Sequence, residues 1–263
     1  MDFGLRGKKA VVSGSTAGIG LAIATALAME GASVVINGRK EARVNAAHEK
    51  IRHHYKTADL EGVAADLGTA SGVETLVKQV PHTDVLINNL GIFEPKPFAE
   101  IPDADWLRFF EVNVLSGVRL SRHYLPGMLK SNWGRIIFIS SESAVQIPAE
   151  MIHYGMTKTA QVAVARGLAE SVAGTGVTVN SVLPGPTVSE GVAGFLDGMA
   201  KQRGISTAQI EQEFFKTARP SSLLKRFETP EEIAAVVAFV ASAQSAAISG
   251  AAVRAEGGVI RSI

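Results

Sequence analysis

The chain has 263 residues, 46% of them hydrophobic and 19% charged, with a formal net charge of +1. This composition excludes a disordered or fibrous chain, and the length suffices for a large buried core without covalent staples. The absence of cysteine removes disulfides, thiolate metal sites and cysteine nucleophiles, and the balanced charge offers no field for nucleic acid or an acidic membrane.

The first nine residues include Asp2, Arg6, Lys8 and Lys9 and do not read as a signal peptide. Seven short runs rich in β-branched residues then predict strands at 9–13, 32–37, 62–66, 84–88, 135–140, 177–183 and 251–255. These runs are apolar throughout rather than alternating, as suits strands buried on both faces of a parallel sheet. Helix-length segments separate them. Ser71-Gly-Val-Glu74 and Thr229-Pro-Glu-Glu232 read as capping boxes that start two of these helices. Strand–helix alternation of this kind predicts one α/β domain over 1–263, a doubly wound Rossmann fold with helices on both faces. The longest apolar stretch, Ile233 to Ala243, is far short of a membrane span. One stretch breaks the rhythm. Residues 189–226 are far longer than a strand–helix connection needs and carry Val192, Phe195, Leu196, Met199 and Phe214-Phe215, with Ser206–Gln209 as a third capping box. The reading is a lid over a site, or else a surface insertion.

The first strand runs into Ser13-Gly-Ser-Thr-Ala-Gly-Ile-Gly20 and an apolar helix. Gly14, Gly18 and Gly20, with Ser15, Thr16 and Ile19 between them, make a turn that approaches a phosphate at a helix N-terminus. The second strand ends Asn37-Gly38-Arg39-Lys40, with no acid to bond a free ribose 2′-hydroxyl and an arginine able to accept a 2′-phosphate. Arg39 is equally readable as a solvated surface residue. Asp66, followed by Leu67, ends the third strand, where it can bond an adenine amino group or cap a turn.

Tyr154 and Lys158 stand four apart on a predicted helix and so share a face. An ammonium beside a phenol lowers the tyrosine pKa from its ordinary ~10 toward neutrality, where it is an effective acid and base. Thirteen residues before Tyr154, Ser141 follows the fifth strand, and Asn113 lies inside a predicted helix where asparagine is a poor helix former.

With these residues in place, the chain resembles the short-chain dehydrogenase/reductase family over essentially its whole length. The likeness rests on the glycine turn at 14–20, Asn-Asn-x-Gly at 88–91, Asn113, Ser141, the Tyr154/Lys158 pair and Pro-Gly at 184–185. The resemblance implies that Tyr154 is the acid/base and that Lys158 lowers its pKa and holds the nicotinamide ribose. It further implies that Ser141 bonds the reacting oxygen and that Asn113 orders a water relaying protons from Lys158. Asn89 and Gly91 would line the adenosine side, and Pro184, Gly185, Thr187 and Ser189 the nicotinamide side. The chain departs from the family pattern at Leu90, which predicts a local adjustment of a close-packed turn, and at Glu256, which bears on assembly.

Other residues read as structural. His53-His54 form a solvated helix face rather than a metal site, no metal is expected, and His153 reads as exposed at a helix start or as a substrate contact. Trp106 and Trp133 read as packing residues. No P-loop is present. The expectation is a cytoplasmic oxidoreductase that moves a hydride between nicotinamide and a carbonyl or secondary alcohol. Its preferred cofactor is NADP(H), with NAD(H) still able to bind, and its substrate is a small apolar or amphipathic molecule, a 3-oxoacyl thioester being one case. Assembly as a homotetramer is expected, with no nucleic-acid or membrane partner. The competing reading is a catalytically silent dinucleotide-binding regulator. A third, an S-adenosylmethionine-binding Rossmann protein, explains neither Tyr154 nor Lys158.

Overall fold

A computed structural model describes residues 2–263, the side chains of Glu190 and Phe195 and the surroundings of Gly191 excepted. Seven parallel strands, β1 (Lys9–Val12), β2 (Ser33–Gly38), β3 (Leu60–Ala64), β4 (Val85–Asn88), β5 (Gly134–Ile139), β6 (Val177–Pro184) and β7 (Ala252–Ala255), pair in the order β3-β2-β1-β4-β5-β6-β7. Alternate residues of each strand point to opposite faces, and both faces are covered. Val12, Ile36, Ile87 and Ile139 pack on one side with helices α1 (Gly18–Met29), α2 (Glu41–His54) and α9 (Pro230–Ala241). Val11, Val35, Leu86 and Phe138 pack on the other with α3 (Ala70–Gln79), α5 (Ser116–Ser131) and α6 (Ile152–Ser171). This double burial accounts for the unbroken apolar runs.

Strand order reverses between β1 and β4, the switch point where open α/β sheets bind ligands beyond their carboxyl ends. Two elements differ from expectation by more than a single residue. Strand β3 begins and ends two residues earlier than predicted because Asp66 turns the chain, its carboxylate accepting from the Gly68 amide at 3.1 Å. Helix α3 is capped by Thr69, which accepts from the Gly72 amide at 3.0 Å, so Ser71 lies inside the helix and forms no capping box. The boxes at Ser206 and Thr229 are present as predicted.

Helix α4 (Asp103–Phe110) joins α5 through a π-helical turn at Glu111–Leu115. The excursion after β6 folds into α7 (Glu190–Arg203) and α8 (Thr207–Thr217). Phe214, Phe215 and Phe227 stack together within it, and Phe195 lies outside the described side chains. Among the described residues no helix is long and apolar enough to cross a membrane, and no group of acidic or histidine side chains could hold a metal.

Candidate active site

The turn after β1 is shaped by its glycines. Gly14 and Gly18 have φ of +62° and +54°, a region that side chains disfavour. A Cβ on Gly20 would lie 2.5 Å from both Asn89 Nδ2 and the Gly14 carbonyl oxygen. The N-terminus of α1 has no side-chain cap, so its amides remain available to an anion. Asn89 locks the turn from β4, its Nδ2 donating to the carbonyls of Ser13 (2.9 Å) and Gly14 (3.1 Å). Leu90 is accommodated without distortion: its amide donates to Ser13 Oγ at 3.0 Å and its side chain packs on the core. These features fit a dinucleotide pyrophosphate.

Three predicted cofactor residues stand differently. Ser15 is fully buried, donating to the Val12 carbonyl (2.7 Å) and accepting from the Asn37 amide (2.9 Å), so its hydroxyl braces the turn. Leu67 is buried in the core, which leaves only its backbone for a ligand. Gly38 is not an open position, because a Cβ there would meet Thr16 Cγ2 at 2.4 Å. Thr16 thus lies between Gly38 and the glycine turn, with exposed Arg39 beside it.

Around the carboxyl end of β6, Gly185 is pinned by three groups. Its amide donates to the Ala255 carbonyl and to Glu228 Oε2, both at 3.0 Å, and its carbonyl accepts from Thr187 Oγ1 at 3.0 Å. A Cβ at Gly185 would fall 2.7 Å from Glu228 Oε1, so only glycine fits. Burial raises the Glu228 carboxyl to about 7. Ser189 caps α7, and its Cβ lies 3.1 Å from where a Gly18 Cβ would stand, bringing the excursion against the glycine turn.

Asn113, Ser141, Tyr154 and Lys158 converge between these two turns. The π-helical turn takes Asn113 out of the regular helix ladder. The Asn113 side chain then accepts from the Ile92 amide (2.8 Å) and donates to the Ile92 carbonyl and to Thr157 Oγ1, both at 3.0 Å. The Asn113 backbone carbonyl accepts from Gln161 Nε2 at 2.6 Å, while Gln161 Oε1 accepts from Lys158 Nζ at 3.1 Å. Gln161 thus links the Asn113 carbonyl to Lys158. Lys158 also donates to the Ile139 carbonyl at 2.8 Å. Ser140 donates to the Lys158 carbonyl at 2.8 Å and serves the framework, leaving Ser141 on the site side.

The electrostatics depart from expectation. Burial pushes the half-buried Tyr154 phenol above the ordinary tyrosine range and the Glu142 carboxylate adds to this, whereas Ser141 and Arg219 pull the other way. Lys158, whose Nζ lies 5.5 Å from the Tyr154 ring centre, is itself lowered by burial to about 7. A lysine so desolvated carries less positive charge near neutral pH, which weakens its pull on the phenol.

Two residues at the site escaped the sequence reading. Glu142 is buried directly after Ser141, and Arg219, beyond α8, donates to it through Nε at 2.7 Å. A charged residue inside the hydroxyl-rich strand end Ser140-Ser-Glu-Ser143 was the available signal. His153 is neither exposed nor at the site: it is fully buried against Trp106 and Phe109, with its ring nitrogens unpartnered.

A sheet with this switch point, a glycine cradle and a Ser–Tyr–Lys cluster defines a dinucleotide-dependent oxidoreductase site. Residues 8–199 match the family model described as short chain dehydrogenase, and the chain belongs to that family of oxidoreductases. It is 49% identical over 263 residues, 100% of both chains, to the uncharacterized oxidoreductase YvaG of Bacillus subtilis. It is 32% identical to the D-beta-hydroxybutyrate dehydrogenase of Cupriavidus necator, over 97% of this chain and 98% of that one. Among solved structures, L-sorbose reductase from Gluconobacter frateurii, complexed with NADPH and L-sorbose, superposes with a TM-score of 0.94 at 31% identity over 100% of both chains.

Proposed function

We propose that the chain is an NADP(H)-dependent carbonyl reductase, or dehydrogenase of the matching secondary alcohol, acting on a small apolar or amphipathic substrate. The observation that carries this reading is the convergence of Asn113, Ser141, Tyr154 and Lys158 beside a glycine cradle fit for a dinucleotide. The reduced nicotinamide supplies a hydride to the carbonyl carbon when bound. Tyr154 donates the proton to the substrate oxygen, and Ser141 stands beside the phenol at that same oxygen. Lys158 holds the ribose hydroxyls with the N–H that Ile139 and Gln161 leave free. Asn113 acts on Lys158 through Gln161 rather than through a water alone. Gly14, Thr16, Gly18, Ile19, Gly20, Asn89 and Gly91 would surround the pyrophosphate and adenosine, Asp66 the adenine, and Pro184, Gly185, Thr187 and Ser189 the nicotinamide. Arg39 favours NADP(H), as does the NADPH of the sorbose reductase complex. NAD(H) is the weaker cofactor.

The substrate class follows from the site's apolar rim. The Phe93 ring meets Tyr154 edge-on at 6.3 Å, and Val145 and Ile147 are exposed nearby. A 3-oxoacyl chain suits that surface better than a sugar, and relatives named as 3-oxoacyl-[acyl-carrier-protein] reductases support the same choice. The helices of the excursion would act as a lid over it. A cytoplasmic homotetramer is proposed, supported by the exposed Leu107 and Phe110 on α4.

The deciding assay follows NADPH oxidation with acetoacetyl thioester and L-sorbose, in the wild type and in Tyr154→Phe. Turnover of the thioester should fall by about 10²–10⁴-fold in the variant, with cofactor affinity within a few-fold. A variant keeping more than about a tenth of wild-type kcat would refute the role of Tyr154. NADPH binding without turnover of any carbonyl would favour the silent regulator.

A further inference from the structure

Glu142 lies at the meeting point of the catalytic strand end and the excursion. Its Oε2 accepts from Ser141 Oγ at 2.5 Å and from Ser143 Oγ at 2.6 Å, while its Oε1 accepts from Arg219 Nε at 2.7 Å. Both charged side chains are buried, Glu142 at 3% and Arg219 at 6% exposure. A second nitrogen of Arg219 reaches Glu150 at 3.2 Å, and the guanidinium lies over the Phe214 ring. A buried ion pair gives little net stability over well-packed apolar residues, so fold stability alone is a poor reason for one here.

Ser141 has a single hydroxyl hydrogen. It stabilises a phenolate by turning that hydrogen to Tyr154, and Glu142 Oε2, at 2.5 Å, competes for the same hydrogen. The Ser143 amide donates to Ser141 Oγ at 3.1 Å, which further fixes the hydroxyl's orientation. We propose that Glu142, anchored by Arg219, is a positioning residue that competes with Tyr154 for the Ser141 hydrogen and so sets Tyr154 as a proton donor rather than a base. The proposal rests on the reductase reading of the site and deepens it.

The groups facing Tyr154 come from several elements and oppose one another: Glu142 disfavours the phenolate, whereas Ser141 and Arg219 favour it. Lys158 comes from its own helix, Glu142 from the end of β5, and Arg219 from beyond α8 with Glu150 at its far side, while Phe93 covers the ring. His153, the preceding residue, faces α4. The carboxylate opposes a phenolate by its charge and by holding the hydrogen that would relieve it. Carbonyl reduction uses the protonated phenol; alcohol oxidation needs the phenolate. Glu142 therefore moves the pH range in which each direction runs fastest, without altering the reaction's equilibrium.

Glu142→Gln is the informative variant. Arg219 would draw the amide oxygen to itself, turning the NH2 toward Ser141, which must then turn its own hydrogen toward Tyr154. The readout is phenolate ultraviolet absorbance against pH; the Tyr154→Phe titration is subtracted to remove the contributions of Tyr55 and Tyr124. Glu142→Gln should move the Tyr154 midpoint down by about one pH unit, a tenfold rise in the phenolate fraction at fixed pH. The alkaline limbs of the oxidation and reduction profiles should move with it, while KM for NADPH stays within a few-fold. If the single variant does not fold, Glu142→Gln/Arg219→Met removes both buried charges and should move the midpoint in the same direction. An unmoved midpoint in the folded variant overturns the proposal, even where activity falls. If instead Tyr154→Phe retains activity, the reductase reading falls and the titration still reports on Glu142.

Discussion

Between Thr16 and Arg39 lies Gly38, and the three residues together govern how a ribose is read. An acid at position 38 would face the ribose hydroxyls, but Thr16 Cγ2 fills the room its side chain would need. Arg39→Ala should lower kcat/KM for NADPH by roughly 10- to 150-fold, the worth of one charge-assisted contact of about 1.5–3 kcal/mol. The value for NADH should barely change. Gly38→Asp alone should weaken both cofactors by displacing Thr16, and only Thr16→Gly/Gly38→Asp should turn the preference to NADH. Steady-state kinetics with both cofactors on one substrate checks each outcome. The contrast shows what was legible. Gly14, Gly18 and Gly20 announced a backbone turn because glycine's freedom is local, but a Thr16–Gly38 contact spans two strands and leaves no pattern. Glu142 with Arg219 is the same case across 77 positions.

The π-helical turn between α4 and α5 is the element that makes Asn113 useful. Sequence periodicity pointed to a continuous helix there, since one extra residue in a turn hardly disturbs an apolar stripe. Its consequence is an Asn113 carbonyl that depends on Gln161 from α6. Gln161→Leu should leave that buried carbonyl unpaired, lowering stability by about 1–3 kcal/mol. It should also reduce kcat while cofactor Kd holds within a few-fold; urea unfolding and fluorescence titration measure the two effects. Caps offer a cleaner comparison. Thr69→Ala should cost about 1 kcal/mol, the usual value of an N-cap, and Ser71→Ala only tenths, which reverses the order the sequence motif implied. The motif pointed to Ser71, and only the backbone shows that Thr69, two positions earlier, precedes the first helical residue.

For the molecule as a whole, two buried groups oppose each other in pH. Glu228 is held at about 7 against an ordinary 4.5, so the folded form binds a proton that the unfolded chain has lost, and stability falls as pH rises from 4.5 to 7. Lys158 is held at about 7 against 10.5, so the unfolded chain binds the extra proton and stability climbs between those values. Glu228→Gln, whose amide oxygen can still accept from the Gly185 amide, should raise Tm near ~pH 8 and leave it little changed near ~pH 4. Scanning calorimetry at both pH values is the check. Assembly is tested at the same scale: light scattering at micromolar concentration should give four chains, and a species of 27.7 kDa would refute the tetramer. The sheet itself was almost wholly legible, because its five inner strands, buried on both faces, write their apolar runs into the chain. Charge compensation inside it was not.

The brace on Gly185 has a consequence for biosynthesis. Its amide is held by Ala255, and Glu256, through the Val259 and Ile260 amides, folds the segment that follows. Leu223, near Arg219, hangs on the carbonyl of Gly257. The proposed nicotinamide side of the site, Pro184 to Ser189, is thus braced by residues that the ribosome adds long after the glycine turn is made. A nascent chain stalled near residue 250 would carry the glycine turn and the Ser141–Tyr154–Lys158 cluster without the Ala255 brace on Gly185. Dinucleotide captured early would meet a nicotinamide side that stays unfixed until the turn at residues 256–260 closes.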